Sequence, residues 1–270
     1  MKTVDLDKIA REPKTGHTSK GDQPKWQVRG RWYKADHMGY EALVEVLVSR
    51  LLAKSNVRDF VAYDPVLIHC HGRERAGCVS ANFRGKNEML IPLERLHRAY
   101  RDGKGLAAEL ASFPSVEERV RYTVDFIEKN TGLSDVGAYL TTILELDAFF
   151  LNEDRHTNNL AVIRGEQAQD FRLCPIFDNG LGLLSDLNDY PPGADIYACI
   201  GGIRAKPFST NFDEQVEAAN RLYGSRLKFS FGRGDVSEIL KTMDGLYSEA
   251  ILRRVEKILF EQMRKYSVYF

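Results

Sequence analysis

Asn152-Glu153-Asp154-Arg155-His156-Thr157-Asn158-Asn159, followed by Ile176-Phe177-Asp178-Asn179-Gly180, is the pair of stretches on which the reading of this chain turns. Their order is an Asp, an Asn five positions later, and then an Asp-x-Gly triplet. Phosphoryl transfer needs that inventory: one carboxylate to take the proton of an accepting hydroxyl, and a second carboxylate with an amide oxygen to hold Mg²⁺ on nucleotide phosphates. An isolated Asp most often caps a turn. Here Asn159 and Asp178 favour a site, provided the intervening chain folds back.

The flanks supply that return. Ser134 to Leu151 carries Leu140, Ile143, Leu144 and Phe150 on an apolar stripe, with Asp135 and Glu145 at polar positions, so a helix delivers the Asp154 loop. Leu160–Ile163 and Phe171–Phe177 read as a hairpin around Arg164-Gly165-Glu166. Further upstream, Leu93–Tyr100 is a short helix. Ser115–Lys129 is a stronger one, opened by Pro114-Ser115, with Glu117 and Glu118 in its first turn and Gly132 beyond its end. Downstream, Asp213–Tyr223 and Val236–Tyr266 read as helical.

Before the polar break Arg84-Gly85-Lys86-Asn87 the pattern is strand-rich with one helix. Gln27–Lys34 suggests a hairpin about Gly30. Tyr40–Lys54 repeats apolar residues at 43, 44, 47, 48, 51 and 52, a helical stripe. Val57–Cys70 and Ala76–Phe83 read as strands joined by His71-Gly72-Arg73-Glu74. Trp26, Trp32 and the Phe149-Phe150 pair are expected in the core. His69, Cys70, His71 and Cys78 lack the usual zinc spacings and read as strand alternation before a turn.

Asp154-Arg155-His156-x-x-Asn159 with Phe177-Asp178-x-Gly180 resembles the catalytic and metal-binding loops of the phosphoinositide-kinase-like branch of the kinase superfamily, and more specifically the HipA-like bacterial serine/threonine kinases. The resemblance covers most of the chain. It implies an α+β, bilobal protein-kinase-like fold: a small antiparallel-sheet lobe with one main helix over residues 1–85, and a larger, mainly helical lobe over 86–270. It implies Asp154 as general base, Asn159 and Asp178 as Mg²⁺ ligands, and His156 as a support of the loop or a group near the transferring phosphate. A salt bridge within the loop is as good a role for Arg155 as a direct one. Asn179 departs from the Phe of the common Asp-Phe-Gly triplet. The chain is shorter than full HipA toxins, and their added amino-terminal subdomain is not expected here.

The same resemblance assigns Lys34 to the ATP phosphates and an ion pair to a helix glutamate. Glu41 matches the family position better, and Glu45, one turn on and on the same face, is the substitute. No Gly-x-Gly-x-x-Gly occurs. Thr15–Lys25 takes its place as a loop of Gly, Ser and Thr, with Ser19 and Gly21 as nucleotide contacts and Thr18 or Ser19 as candidate autophosphorylation sites. Leu181–Asn211 is the stretch where a peptide substrate is expected, or else an irregular packed loop.

Composition sets the bounds. At 270 residues, 43 % hydrophobic and 28 % charged, the chain suits a soluble globular fold. Its 38 basic and 38 acidic side chains cancel, so global charge favours neither nucleic acid nor membrane. The four scattered cysteines are expected as reduced thiols. Met1–Pro13 lacks the apolar run of a secretory signal, and a cytoplasmic location is expected. The expectation is an ATP- and Mg²⁺-dependent kinase acting on a protein substrate, with a place for a small antitoxin-like partner. The alternatives are a lipid or small-molecule kinase, and a nucleotide-binding regulator without turnover.

Overall fold

The computed structural model describes residues 2–8, 23–167 and 170–270. They divide into two compact units. One comprises Met1–Asn82, Phe177–Ile203 and Lys228–Phe270; the other comprises Phe83–Ile176 and Arg204–Leu227. Both units are discontinuous in sequence, whereas the expected division is a single cut after residue 85.

The first unit is built on a five-stranded sheet. Strands β1 (Thr3–Asp5), β2 (Lys25–Val28), β3 (Arg31–Ala35), β4 (Tyr63–Cys70) and β5 (Arg73–Ala81) lie in the order β1-β4-β5-β3-β2. Among the described residues of this sheet, β1–β4 is the parallel pair and the others are antiparallel. The expected hairpin about Gly30 is present as β2–β3 and closes through two residues, Arg29 and Gly30, both at positive φ (46° and 75°), the primed geometry that matches strand twist. That turn fixes the register and sets Lys25 opposite Lys34. Leu6, Trp26, Tyr33, Ala35, Val66, Ile68 and Val79 form one buried cluster on the sheet. Helix α1 (Glu41–Leu52) packs against β3, β4 and β5 and is buried on nearly every face, a wider apolar surface than the expected stripe.

The second unit holds a three-stranded sheet, β6 (Met89–Pro92), β7 (Ala161–Arg164) and β8 (Phe171–Leu173), in sequence order. It also holds helices α2 (Leu93–Tyr100), α3 (Leu106–Leu110), α4 (Val116–Thr131) and α5 (Val136–Phe150). Helix α4 starts as the sequence suggests: Ser115 and Glu118 cap each other's backbone N–H, and Gly132 closes the helix at φ 72°. Helix α5 is buried almost all round. Its Glu145, expected on a polar face, is inside and accepts the N–H groups of Arg226 and Leu227. Phe149 and Phe150 are buried and meet edge to face.

Helix α6 (Ile196–Gly202) belongs to the first unit, and α7 (Phe212–Tyr223) to the second, where it packs on α4 and α5. The single helix expected over Val236–Tyr266 is two, α8 (Arg233–Lys241) and α9 (Glu249–Lys265). Gly245 at φ 82° turns the chain between them, and Ser248 caps α9. Strands β1 and β6 and helices α3 and α6 are too short to leave a periodic trace in the sequence.

Candidate active site

In the first unit the site is built on Lys34. Strand β3 carries it to a buried position, where its Nζ donates to Glu45 Oε1 of α1 and, at 2.7 Å, to Asp178 Oδ1. The Tyr63 ring lies 5.2 Å below the ammonium. Burial pulls the lysine's pKa down, but the charges of Asp178 and Glu45 more than offset this and hold it well above the ordinary value. Lys34 is therefore a fixed positive charge. Lys25 adds a second, 3.7 Å from the same Asp178 oxygen.

Glu45 is the ion-pair partner, and this corrects the expectation that placed Glu41 there. The other oxygen of Glu45 accepts the Asn179 N–H at 3.0 Å, so one carboxylate joins β3, α1 and the Asp178 triplet. Glu41 is buried too, but its oxygens accept the N–H groups of His37, Met38 and Gly39. It closes the turn that leads into its own helix, which uses up its acceptor capacity.

The triplet itself is tightly fitted. Asp178 holds φ 59°, a left-handed conformation that Asp tolerates better than most residues. A Cβ on Gly180 would stand 3.3 Å from Glu41 Cβ and 3.4 Å from Glu45 Cγ, so glycine permits this approach to α1. Beyond it the chain is fastened to the start of the helix. Tyr40 N donates to Ser185 O, Leu187 N to Met38 O, and the Tyr40 hydroxyl shares its proton between the carbonyls of Leu183 and Leu184, while Ser185 Oγ donates to Gly180 O within the stretch.

In the second unit, α5 ends on Leu151 in the left-handed region (φ 54°) and releases the Asp154 loop. The loop is held from below. Arg155 is buried and its guanidinium grips Asp147 of α5, with Nε to Oδ2 at 2.9 Å and Nη2 to Oδ1 at 3.0 Å. Asn152 reaches the same carboxylate at 2.8 Å. Arg155 thus takes the structural of its two expected roles. Asp154 is nearly buried, and the Asn159 amide nitrogen donates to its backbone oxygen (2.8 Å) and to Oδ2 (3.3 Å). This brings the expected pair together and turns the amide oxygen of Asn159 away from the base. His156 Nε2 lies 3.8 Å from Asp154 Oδ2, and its Nδ1 is buried with no hydrogen-bond partner among the described residues.

Several participants were missed at the level of sequence. Lys25 was readable, since a two-residue turn at 29–30 sets it across from Lys34. Asp147 left no signal beyond a polar residue in an apolar helix. Lys206, whose Nζ is 3.3 Å from Asp154 Oδ1, arrives from a distant stretch. Thr18, Ser19 and Gly21 lie outside the described residues. His69, Cys70 and His71 gather with Asp5 and Asp7 at the end of β1 and β4; Asp7 and His71 are exposed, the other three are half-buried, and Cys78 is buried. All four cysteines are free.

No protein-family model matches the chain, and no curated protein sequence matches it. Among solved structures, the Helicobacter pylori proinflammatory kinase CtkA superimposes with a TM-score of 0.67 at 15 % identity, covering 97 % of this chain and 95 % of that one. The chain has the fold of that kinase. The mixed α and β, kinase-like architecture expected from the motifs is therefore present over nearly its whole length. HipA of Shewanella oneidensis MR-1, in a complex with HipB and operator DNA, gives a TM-score of 0.45 at 13 % identity, covering 96 % of this chain and 67 % of that one.

Proposed function

We propose that this chain is an ATP- and Mg²⁺-dependent kinase that phosphorylates Ser or Thr hydroxyls of a protein. The observation that carries the reading is the buried Lys34 held jointly by Glu45 and Asp178. A buried lysine stays charged only where it is paired, and Glu45 and Asp178 pair this one, which keeps a cation in place to counter the negative charge of nucleotide phosphates. Lys34, with Lys25 beside it, would bind those phosphates. Ser19 and Gly21 belong to the proposal as backbone and hydroxyl contacts. The division into lobes at residue 85 stays part of it as well.

The donors suit Mg²⁺. Asp178 offers a carboxylate and Asn159 an amide oxygen, the hard oxygen ligands that this ion selects. When bound, the ion neutralises charge on the phosphates. Asp154 accepts the proton of the acceptor hydroxyl as its oxygen attacks phosphorus. The Asn159 amide orients that carboxylate, and His156 lines its Oδ2 side. Positioning and fixed charge supply most of the acceleration in such a site. Action in the cytoplasm fits this reading, and no helix among the described residues is long and apolar enough to cross a membrane. A small antitoxin-like partner rests on the sequence motifs alone.

The test uses γ-labelled ATP, Mg²⁺ and a cell lysate, with Asp154→Ala in parallel. Labelled protein bands that fall by about 10²–10⁴-fold in the variant are expected for loss of a general base. Label confined to the lipid extract would move the assignment to a lipid kinase. Nucleotide binding without any transfer would make the chain a regulator and overturn the proposal.

A further inference from the structure

Lys206 stands against the base through no neighbour in sequence. Its ammonium is 3.3 Å from Asp154 Oδ1, on the carboxylate oxygen that Asn159 and His156 do not approach. The side chain is about a third exposed whereas the Asp154 side chain is 4 % exposed, so the lysine reaches inward from the surface to an enclosed acid. The stretch that presents it is anchored at both ends. Ala205 is buried, and its N–H donates to Thr210 O at 3.0 Å, closing a loop across the lysine. Phe208 is fully buried. Its N–H donates to the buried Gln215 Oε1 at 2.7 Å, and its carbonyl accepts Arg119 Nη1 at 2.8 Å. Five residues from two helices and the loop itself therefore fix where residue 206 can be.

Resting on the kinase reading above, we propose that Lys206 is a catalytic cation that contacts the transferring phosphoryl group beside Asp154. In the transfer, the acceptor oxygen bonds to the γ-phosphorus and the bond to the bridging oxygen breaks, its electron pair leaving with ADP. The acceptor's proton passes to the Asp154 carboxylate. A carboxylate and a phosphoryl group brought together repel, and a cation within hydrogen-bond reach of the first offsets charge on the second without moving a proton. A lysine suits this use because its ammonium is a compact point charge on a flexible stem, able to leave the acid for the phosphate as the acceptor enters. Lys34 is assigned above to the nucleotide phosphates and is held by Glu45 and Asp178, whereas Lys206 is the cation on the Asp154 carboxylate.

The test compares the full chain with Lys206→Met and Lys206→Arg, using γ-labelled ATP, Mg²⁺ and casein as acceptor. A fluorescent ATP analogue measures nucleotide affinity, and thermal unfolding reports the fold. Lys206→Met is expected to lower the transfer rate at saturating ATP by roughly 10²-fold, the usual effect of removing one group that stabilises developing charge. Analogue affinity should stay within about twofold, and Lys206→Arg should recover at least about tenfold of the rate because it keeps the charge. Native rates in Lys206→Met overturn the inference. So does a loss that appears in analogue affinity instead of rate, or an Arg variant as slow as the Met variant with both unfolding early, which marks a structural pin. If the native chain labels casein and only the variants behave wrongly, this inference falls alone. If the native chain binds the analogue but labels nothing, the kinase reading falls first and takes this one with it.

Discussion

Glu41 and Glu45 stand one helical turn apart on α1, and their separate partners give them separate effects. Glu45→Gln removes the charge facing a buried lysine, and a transfer rate at least about tenfold lower is expected, because a hydrogen bond between charged groups is roughly twice as strong as a neutral one. Glu41→Gln replaces by a donor NH2 one of the two oxygens that accept the N–H groups of residues 37–39. It should cost about 1 kcal/mol of stability, the usual net worth of a hydrogen bond, while transfer per folded molecule stays native. Urea unfolding and a labelling assay on both variants separate the two. Arg155 and Asp147 form a pair at 1 % exposure each. Arg155→Met leaves the buried Asp147 carboxylate without its counter-charge, and about 3–5 kcal/mol of destabilisation is expected by urea melt, with Asp147→Leu added to the same chain recovering part of it. These residues also mark how far a sequence can be read. Both glutamates lie on one face of α1, so spacing cannot rank them. The ranking is made by the backbone of 37–39, whose N–H groups turn toward Glu41.

At the scale of elements, the periodic helices and the hairpins could be read because each writes its own pattern, and α2, α4, α5 and α7 lie where apolar spacing and caps put them. What stayed hidden depends on contacts between elements. Helices α1 and α5 read as amphipathic, yet neighbours cover their polar faces too, through Lys34 on Glu45 and the Arg226–Leu227 backbone on Glu145. Lys206 belongs to the same category, since only the folded path of 204–211 brings it to Asp154. The α5–α7 contact offers a direct check. A Cβ on Gly137 would meet the Tyr223 ring at 2.4 Å, so Gly137→Ala forces the two helices apart. A loss of about 1–3 kcal/mol is expected from overpacking, seen as a lower melting temperature. A native melting temperature would mean that the ring swings aside freely.

For the whole molecule, acid response is set by carboxylates whose partners exist only in the fold. Glu88 is the sharpest instance. Two oxygens take the Arg172 guanidinium at 2.8 and 2.7 Å and one also takes the Gly85 N–H, which lowers its pKa from 4.5 to about 2. A depressed folded pKa means that the unfolded chain takes up the proton first as pH falls. The contribution of Glu88 is then complete above the unfolded value of 4.5 and is lost between there and about 2. Glu88→Gln should unfold at a lower temperature than the native chain at neutral pH, with the gap closing across that acid window. A gap that stays constant down to about pH 2 would remove the charge argument.

The fastening of residues 180–187 to the entrance of α1 carries a further consequence for control. Because Glu45 also holds the Asn179 amide, tilting that helix would drag the Asp178 loop along with it. On the kinase reading proposed above, an off-state in which a swung-out helix strands its lysine while the neighbouring Asp stays put would first have to break the Asn179–Glu45 and Leu187–Met38 bonds. On that reading, a regulator that shifts the helix shifts the Asp178 loop with it, so the two move as one part.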